Sequence, residues 1–202
     1  MKTELEKLAI LNQLTSGGYE AFLYDCDGTL ADNMTAHKLS YKNVASRYQI
    51  DLDTAIIDEL AGWPTILVSQ EISRRYGVAL PDTFSHEKSI EFFENFILET
   101  KPIEFVAEHL KKHVGKVRIG VVSGGSRKTV EKTLTVLGLL PFIEVLVCSG
   151  ETEKGKPFAD PFLAAAELLG VDPAKCMVFE DGEPGVQAAI AAGMDWVRVD
   201  QI

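Results

Sequence analysis

Apolar residues fall along the chain in two textures. Short unbroken runs mark buried strands: Ala21-Phe22-Leu23-Tyr24, then Val117 to Val122, Phe142 to Val147, Cys176 to Phe179, and Trp196 to Val199. Amphipathic stretches with helix punctuation separate the later runs. Ser126 caps one that ends at Gly138, Asp160-Pro161 opens one that closes at Gly170, and Pro184 to Ala192 is stopped by Gly193. Strands alternating with helices predict an α/β fold: a Rossmann-like parallel sheet with right-handed crossovers.

From Met34 to about Lys101 the spacing is helical instead. Leu39, Val44, Ala45 and Tyr48 recur on one face, then Ile56, Ile57 and Leu60, then Ile66, Leu67, Ile72 and Tyr76, then Ile90, Phe93 and Ile97, with Gly62, Gly77 and Pro81 as punctuation. No alternating strand is evident there, and Pro102 is expected to open a further helix ending near Gly115. The link between the first two strands far exceeds a βαβ unit of roughly 30 residues. The surplus predicts a helical bundle, 34–101, inserted into a core made of 1–33 and 102–202. A leading helix is expected over 3–16, with Thr3 and Glu6 as a capping box and Gly17-Gly18 as the stop. Its Leu5, Leu8, Leu11 and Leu14 could face the body or a partner, and the body is the expectation.

Composition narrows the function. The 202 residues suit one ordinary domain or a core with a modest insertion, and 46% hydrophobic with 25% charged residues is the make-up of a globular protein. A net charge of −10 argues against nucleic acid or anionic membrane as partner. Cys26, Cys148 and Cys176 are too few for a disulfide frame and sit in apolar runs, as buried thiols of a cytoplasmic protein would. Neither a targeting segment nor a membrane-length apolar run is visible.

The candidate chemistry sits where strands end, which is where open α/β sheets bind ligands. The first strand runs into Asp25-Cys26-Asp27-Gly28-Thr29-Leu30, and alternation puts Asp25 and Asp27 on one side. Two carboxylates side by side in a core need a cation or a proton to reconcile them. The second strand delivers Ser123-Gly124-Gly125-Ser126, a hydroxyl and open backbone N–H groups for phosphate oxygens. Lys154-Gly155-Lys156-Pro157 follows the third and Glu180-Asp181-Gly182 the fourth. Each cluster alone has a plain alternative: a turn, a solvated lysine, an acidic helix N-terminus, or a calcium-type loop lacking its further ligands. Together they read as a phosphoryl-transfer site. Asp25 is the nucleophile, Asp27 the acid/base, and Asp181 with Glu180 completes an oxygen cage for Mg²⁺; Lys156 offsets the acids and faces the transferring group.

These residues resemble the four motifs of the haloacid dehalogenase superfamily, over nearly the whole chain from Tyr19 to Val199. Phe179 to Ala189, followed by Ala192-Gly193-Met194, is similar to its beta-phosphoglucomutase-like branch, which includes small sugar phosphatases. The resemblance implies that the insert is a helical cap. It implies Asp25 as nucleophile and metal ligand and Asp27 as acid/base with its backbone carbonyl on the metal. Asp181 would be the third protein ligand with Glu180 helping, and Ser123 and Lys156 would hold phosphoryl oxygens. His37 and Lys88 stand where the branch carries a histidine and a lysine near the leaving group; alternatively His37 is a partly exposed helix residue and Lys88 a solvated one. The leading helix lies outside the family pattern.

Asp27 argues against the carbon-attacking dehalogenases, and Cys26 replaces the lysine that the P-type pumps need. The mutases of the branch carry a phosphate-gripping arginine after a Leu-x-Gly turn. Here Leu60-Ala61-Gly62-Trp63-Pro64-Thr65 puts Thr65 in its place, as in the fructose-1-phosphate phosphatase type of cap. The leading expectation is a monomeric Mg²⁺-dependent phosphatase of a small phosphorylated metabolite, such as a sugar phosphate. A phosphohexomutase and a catalytically idle binding module are the alternatives.

Overall fold

A computed structural model describes residues 2–60 and 63–202. Its centre is a parallel sheet of five strands in the order β5-β4-β1-β6-β7, where β1 is Ala21–Tyr24, β4 Arg118–Val122, β5 Val145–Val147, β6 Cys176–Glu180 and β7 Asp195–Arg198. The register sets Tyr24 beside Val121 and Phe179, so β1, β4 and β6 end level with one another. Every residue of β1 and β6 is buried, as expected for strands covered on both faces. One face packs Phe22, Tyr24, Val121 and Phe179 against α6 (Glu104–His113) and α7 (Arg127–Val136). The other packs Leu23 and Val178 against α8 (Asp160–Leu169) and α9 (Glu183–Ala191).

The helical texture of the middle segment is present as α2 (Met34–Arg47), α3 (Ala55–Glu59), α4 (Thr65–Tyr76) and α5 (Phe84–Asn95), with a core of their own around Val44, Leu52, Ile72 and Phe84. Leu39, Ile66, Leu67 and Ile90, counted as apolar-face positions by spacing, remain well exposed. Ala61 and Gly62 of the turn before Thr65 lie outside the described residues.

Several boundaries differ from expectation. A two-stranded ribbon pairs β2 (Ala31–Asp32) with β3 (Lys101–Pro102) where the insert leaves and rejoins the core. Two residues are too few to show alternation, so the ribbon had no sequence signal. Pro102 therefore lies in a strand, and α6 begins only at Glu104. The expected third strand starts only at Val145: Phe142 ends a 3-10 turn, Leu140–Phe142, which Pro141 favours by fixing its own φ, and Ile143 and Glu144 follow it outside any strand.

The leading helix α1 (Glu4–Leu14) has the expected Thr3–Glu6 capping box. Leu8 and Leu11 are buried beside Phe105 and Leu110 of α6, whereas Leu5 and Leu14 are exposed. A buried chain of hydrogen bonds ties α1 to the central strand. Thr15 donates to Leu11 O at 2.8 Å, so its oxygen accepts from His109 Nε2 at 2.8 Å, and Tyr24 OH donates to His109 Nδ1 at 2.9 Å. Burial pushes the His109 pKa down to about 3, which keeps the ring neutral in that role.

Candidate active site

Because β1, β4 and β6 end level, the residues that follow them share one crevice. Asp25, Asp27, Ser123, Gly124, Gly125, Lys156, Glu180 and Asp181 line it from the core, and His37, Thr65 and Lys88 line it from the insert. All eleven sequence-nominated residues thus meet around a cavity of about 130 Å³.

Lys156 is the hub of the core side. Its ammonium donates to Asp25 Oδ1 at 2.6 Å, Glu180 Oε1 at 2.5 Å and Val122 O at 2.8 Å. Three acceptors use all three of its protons. Burial would discharge this lysine, but Asp25 and Glu180 outweigh burial and hold its pKa above the ordinary value. The acids respond in the opposite sense. Burial raises the pKa of Asp25, opposed by Lys156 and reinforced by Asp181. Burial and then Glu180 raise that of Asp181, and burial takes Glu180 up to about 7 despite Lys156. Asp25, Glu180 and Asp181 each offer an oxygen within 4.8 Å of the others. Such an all-oxygen set suits a hard divalent cation, and the raised proton affinities are those of carboxylates that one lysine does not fully neutralise.

Two glycines make room for this cluster. Gly28 turns at φ 87°, and a Cβ there would stand 2.2 Å from Asp181 Oδ2. A Cβ on Gly185, in the first turn of α9, would stand 1.9 Å from the Glu180 carboxyl carbon. Thr29 donates to Asp181 Oδ1 at 3.1 Å from the same turn. Gly185→Ala is expected to push Glu180 off Lys156, costing about 1–3 kcal/mol of stability as overpacking does and lowering turnover with it. Urea unfolding and initial rates on the same preparation check this, and an Ala variant equal to wild type in both would contradict the packing described.

Asp27 sits apart from that cluster. Its Oδ1 accepts from Asn33 Nδ2 at 2.6 Å, and His37 Nε2 lies 3.3 Å from the same oxygen. Lys88 Nζ donates to His37 Nδ1 at 2.5 Å, so the ring proton sits on Nε2, facing Asp27. Burial first and Lys88 next lower the His37 pKa, which favours the neutral ring. Burial takes Lys88 down to about 8. Burial also works against ionised Asp27, but His37, Asn33 and Lys88 outweigh it and hold its pKa at about 2. His37 stacks on Phe92 with centroids 4.0 Å apart, and Lys88 lies over Tyr41 at 4.7 Å. Both are buried, so the alternative of exposed helix residues is set aside.

On the third side, Ser123 Oγ accepts from Gly125 N–H at 3.1 Å, which shapes the loop after β4. Thr65 opens α4 and lines the crevice together with Tyr41. Thr29, Asn33 and Gly185 escaped the reading of the sequence. Thr29 and Asn33 look like ordinary turn and cap residues, and the demand for a glycine at 185 comes from a residue five positions earlier in a different element.

The profile of haloacid dehalogenase-like hydrolases matches residues 22–199. The chain belongs to this family. Across 183 residues this hydrolase is 32% identical to a fructose-1-phosphate phosphatase of Escherichia coli, covering 90% of this chain and 96% of that protein. It is 29% identical to a beta-phosphoglucomutase of Bacillus subtilis, covering 90% and 84%. A beta-phosphoglucomutase structure from Clostridium difficile superposes with a TM-score of 0.74 at 25% identity, covering 88% and 83%. The matched span begins at Phe22 and leaves out α1, so the leading helix stands outside the family profile. No helix among the described residues is long and apolar enough to cross a membrane.

Proposed function

We propose that this haloacid dehalogenase-like hydrolase is a Mg²⁺-dependent phosphatase of small sugar phosphates, with residues 34–101 acting as its cap. The observation that carries the reading is the convergence of Asp25, Asp27, Lys156 and Asp181 on one crevice. A carboxylate oxygen of Asp25 attacks phosphorus, the ester oxygen departs with a proton from Asp27, and an aspartyl phosphate remains. Asp27 then takes a proton from water, whose oxygen attacks the same phosphorus and releases inorganic phosphate and Asp25. Asp27 is ionised before substrate arrives, the form needed for the second step; an anionic ester beside it favours the protonated form needed for the first. Ser123 and the N–H groups of Gly124 and Gly125 receive the phosphoryl oxygens, while Lys156 keeps Asp25 oriented. Asp25 and Asp181, with the Asp27 carbonyl and Glu180 bordering, would hold Mg²⁺, whose charge offsets that of the transferring group.

The cations lining the cavity are Lys88 and Lys156, and both are engaged by protein groups. Thr65 adds a neutral hydroxyl where a second phosphate would need an arginine. This favours hydrolysis of a monophosphate over mutase transfer through a bisphosphate. The fructose-1-phosphate phosphatase and beta-phosphoglucomutase relatives frame the test. A panel of hexose, pentose and polyol monophosphates with Mg²⁺ is expected to give phosphate release that chelator abolishes. Interconversion of glucose 1- and 6-phosphates without phosphate release, or release indifferent to chelator, would refute the reading.

A further inference from the structure

The residue that opens α2 stands out by what its side chain does not do. Asn33 occupies the N-cap position, where asparagine is favoured because its side chain accepts from the first free N–H groups of the helix. Here the side chain makes no such bond. It turns back, buried, and donates Nδ2–H to Asp27 Oδ1 at 2.6 Å. Its own Oδ1 finds no hydrogen-bond partner among the described residues. A helix start without its cap and a buried acceptor without a donor are both unfavourable. The conformation therefore needs a compensating role.

That role is in the shape of the Asp27 carboxyl group. His37 stands one helical turn after Asn33, its backbone N–H bonded to Asn33 O, and its Nε2 faces the same Asp27 oxygen. The Asn33 amide thus donates to Oδ1 from the start of α2, and the His37 ring nitrogen lies 3.3 Å from the same oxygen without completing a hydrogen bond. The second oxygen is turned the other way. A Cβ placed on Gly125 would stand 3.7 Å from Asp27 Oδ2 and 3.4 Å from Ser123 Oγ, so Oδ2 opens on the loop assigned to the phosphoryl oxygens.

We infer that Asn33 is a positioning residue for proton transfer: its amide holds Oδ1 of Asp27 on the side of the insert and leaves Oδ2 directed at the ester oxygen of the substrate. The inference rests on the phosphatase reading, in which Asp27 is the acid and base. It sets Asn33 apart from a helix cap, for which aspartate would serve equally well. Aspartate has nearly the same shape but carries an acceptor where Asn33 offers a donor, and it would repel Asp27.

The test compares wild type, Asn33→Ala and Asn33→Asp on p-nitrophenyl phosphate and on the best sugar phosphate of the panel. Departure of an alkoxide requires the acid, whereas p-nitrophenolate leaves unaided. With kcat/KM reporting the first step, both variants are expected to lose about 10²-fold on the sugar phosphate and far less on the aryl ester, with Asn33→Asp the more impaired. Equal losses on both esters, or an Asn33→Asp protein equal to wild type, would overturn the inference. Should wild type hydrolyse no ester, the phosphatase reading fails instead, and the contact is then read from the Asn33 side-chain amide by NMR. One shifted, exchange-protected proton that Asp27→Ala releases supports the clamp; an ordinary amide pair in wild type refutes it.

Discussion

Asp25→Asn is expected to lower turnover of every phosphate ester the wild type hydrolyses by roughly 10⁵-fold or more, because an amide offers no nucleophile and no alternative carboxylate occupies its place. Asp181 and Glu180 cannot substitute. Asp181 is held by Thr29, and Glu180 accepts from Lys156 and from Gly182 N–H at 3.3 Å. The protein itself should fold as well as before. The ionised form of Asp25 is disfavoured by burial, and Lys156 keeps Glu180 and Val122 O when that charge is removed. Rapid quenching with labelled substrate is the direct check. Wild type should yield phosphoprotein that survives acid and is cleaved by hydroxylamine, and the variant should yield none. A variant retaining a hundredth of wild-type activity, or still labelled, would remove Asp25 from the role.

Lys156→Met is expected to be damaging twice over. The side chain it replaces neutralises two buried carboxylates, and breaking a buried pair by removing one partner typically costs about 3–5 kcal/mol. Turnover should fall by about 10²-fold or more, since Asp25 loses its orientation and the transferring group a nearby positive charge. The stability loss carries a pH signature. The folded-state pKa of Glu180, about 7 with Lys156 present, stands above that of an unfolded carboxylate and rises further without the lysine. A carboxyl whose folded pKa is raised binds more protons folded than unfolded, so its stability is lost as pH rises from the ordinary carboxylate range through the folded pKa. The deficit of Lys156→Met relative to wild type should therefore be largest above pH 7 and shrink toward pH 5. Urea titrations of both proteins in chelator at several pH values measure it. A deficit that is flat or grows toward acid would mean that Lys156 does not neutralise these groups.

Much of the architecture could be read before the structure, for reasons that are local. A strand covered on both faces must be apolar throughout, so Ala21 to Tyr24 and Cys176 to Phe179 announce themselves, and the carboxylates that break such runs mark their ends. Helix stops at Gly138, Gly170 and Gly193 are likewise local, since each takes a positive φ. The ribbon at Ala31–Asp32 and Lys101–Pro102 was illegible because its partners lie far apart in sequence and neither has a pattern of its own.

The order of residues along the chain was enough to name the chemical groups of the site, because strand ends in a parallel sheet must meet. Which oxygen of Asp27 lies toward Gly125, that the three protons of Lys156 are all bound by protein acceptors, and that Asn33 leaves its helix uncapped and donates to Asp27 were decided only by the folded arrangement. These are directional contacts between segments brought together by packing. A hydrogen bond depends on angle and distance at a single atom, and neither is encoded in the spacing of apolar and polar positions.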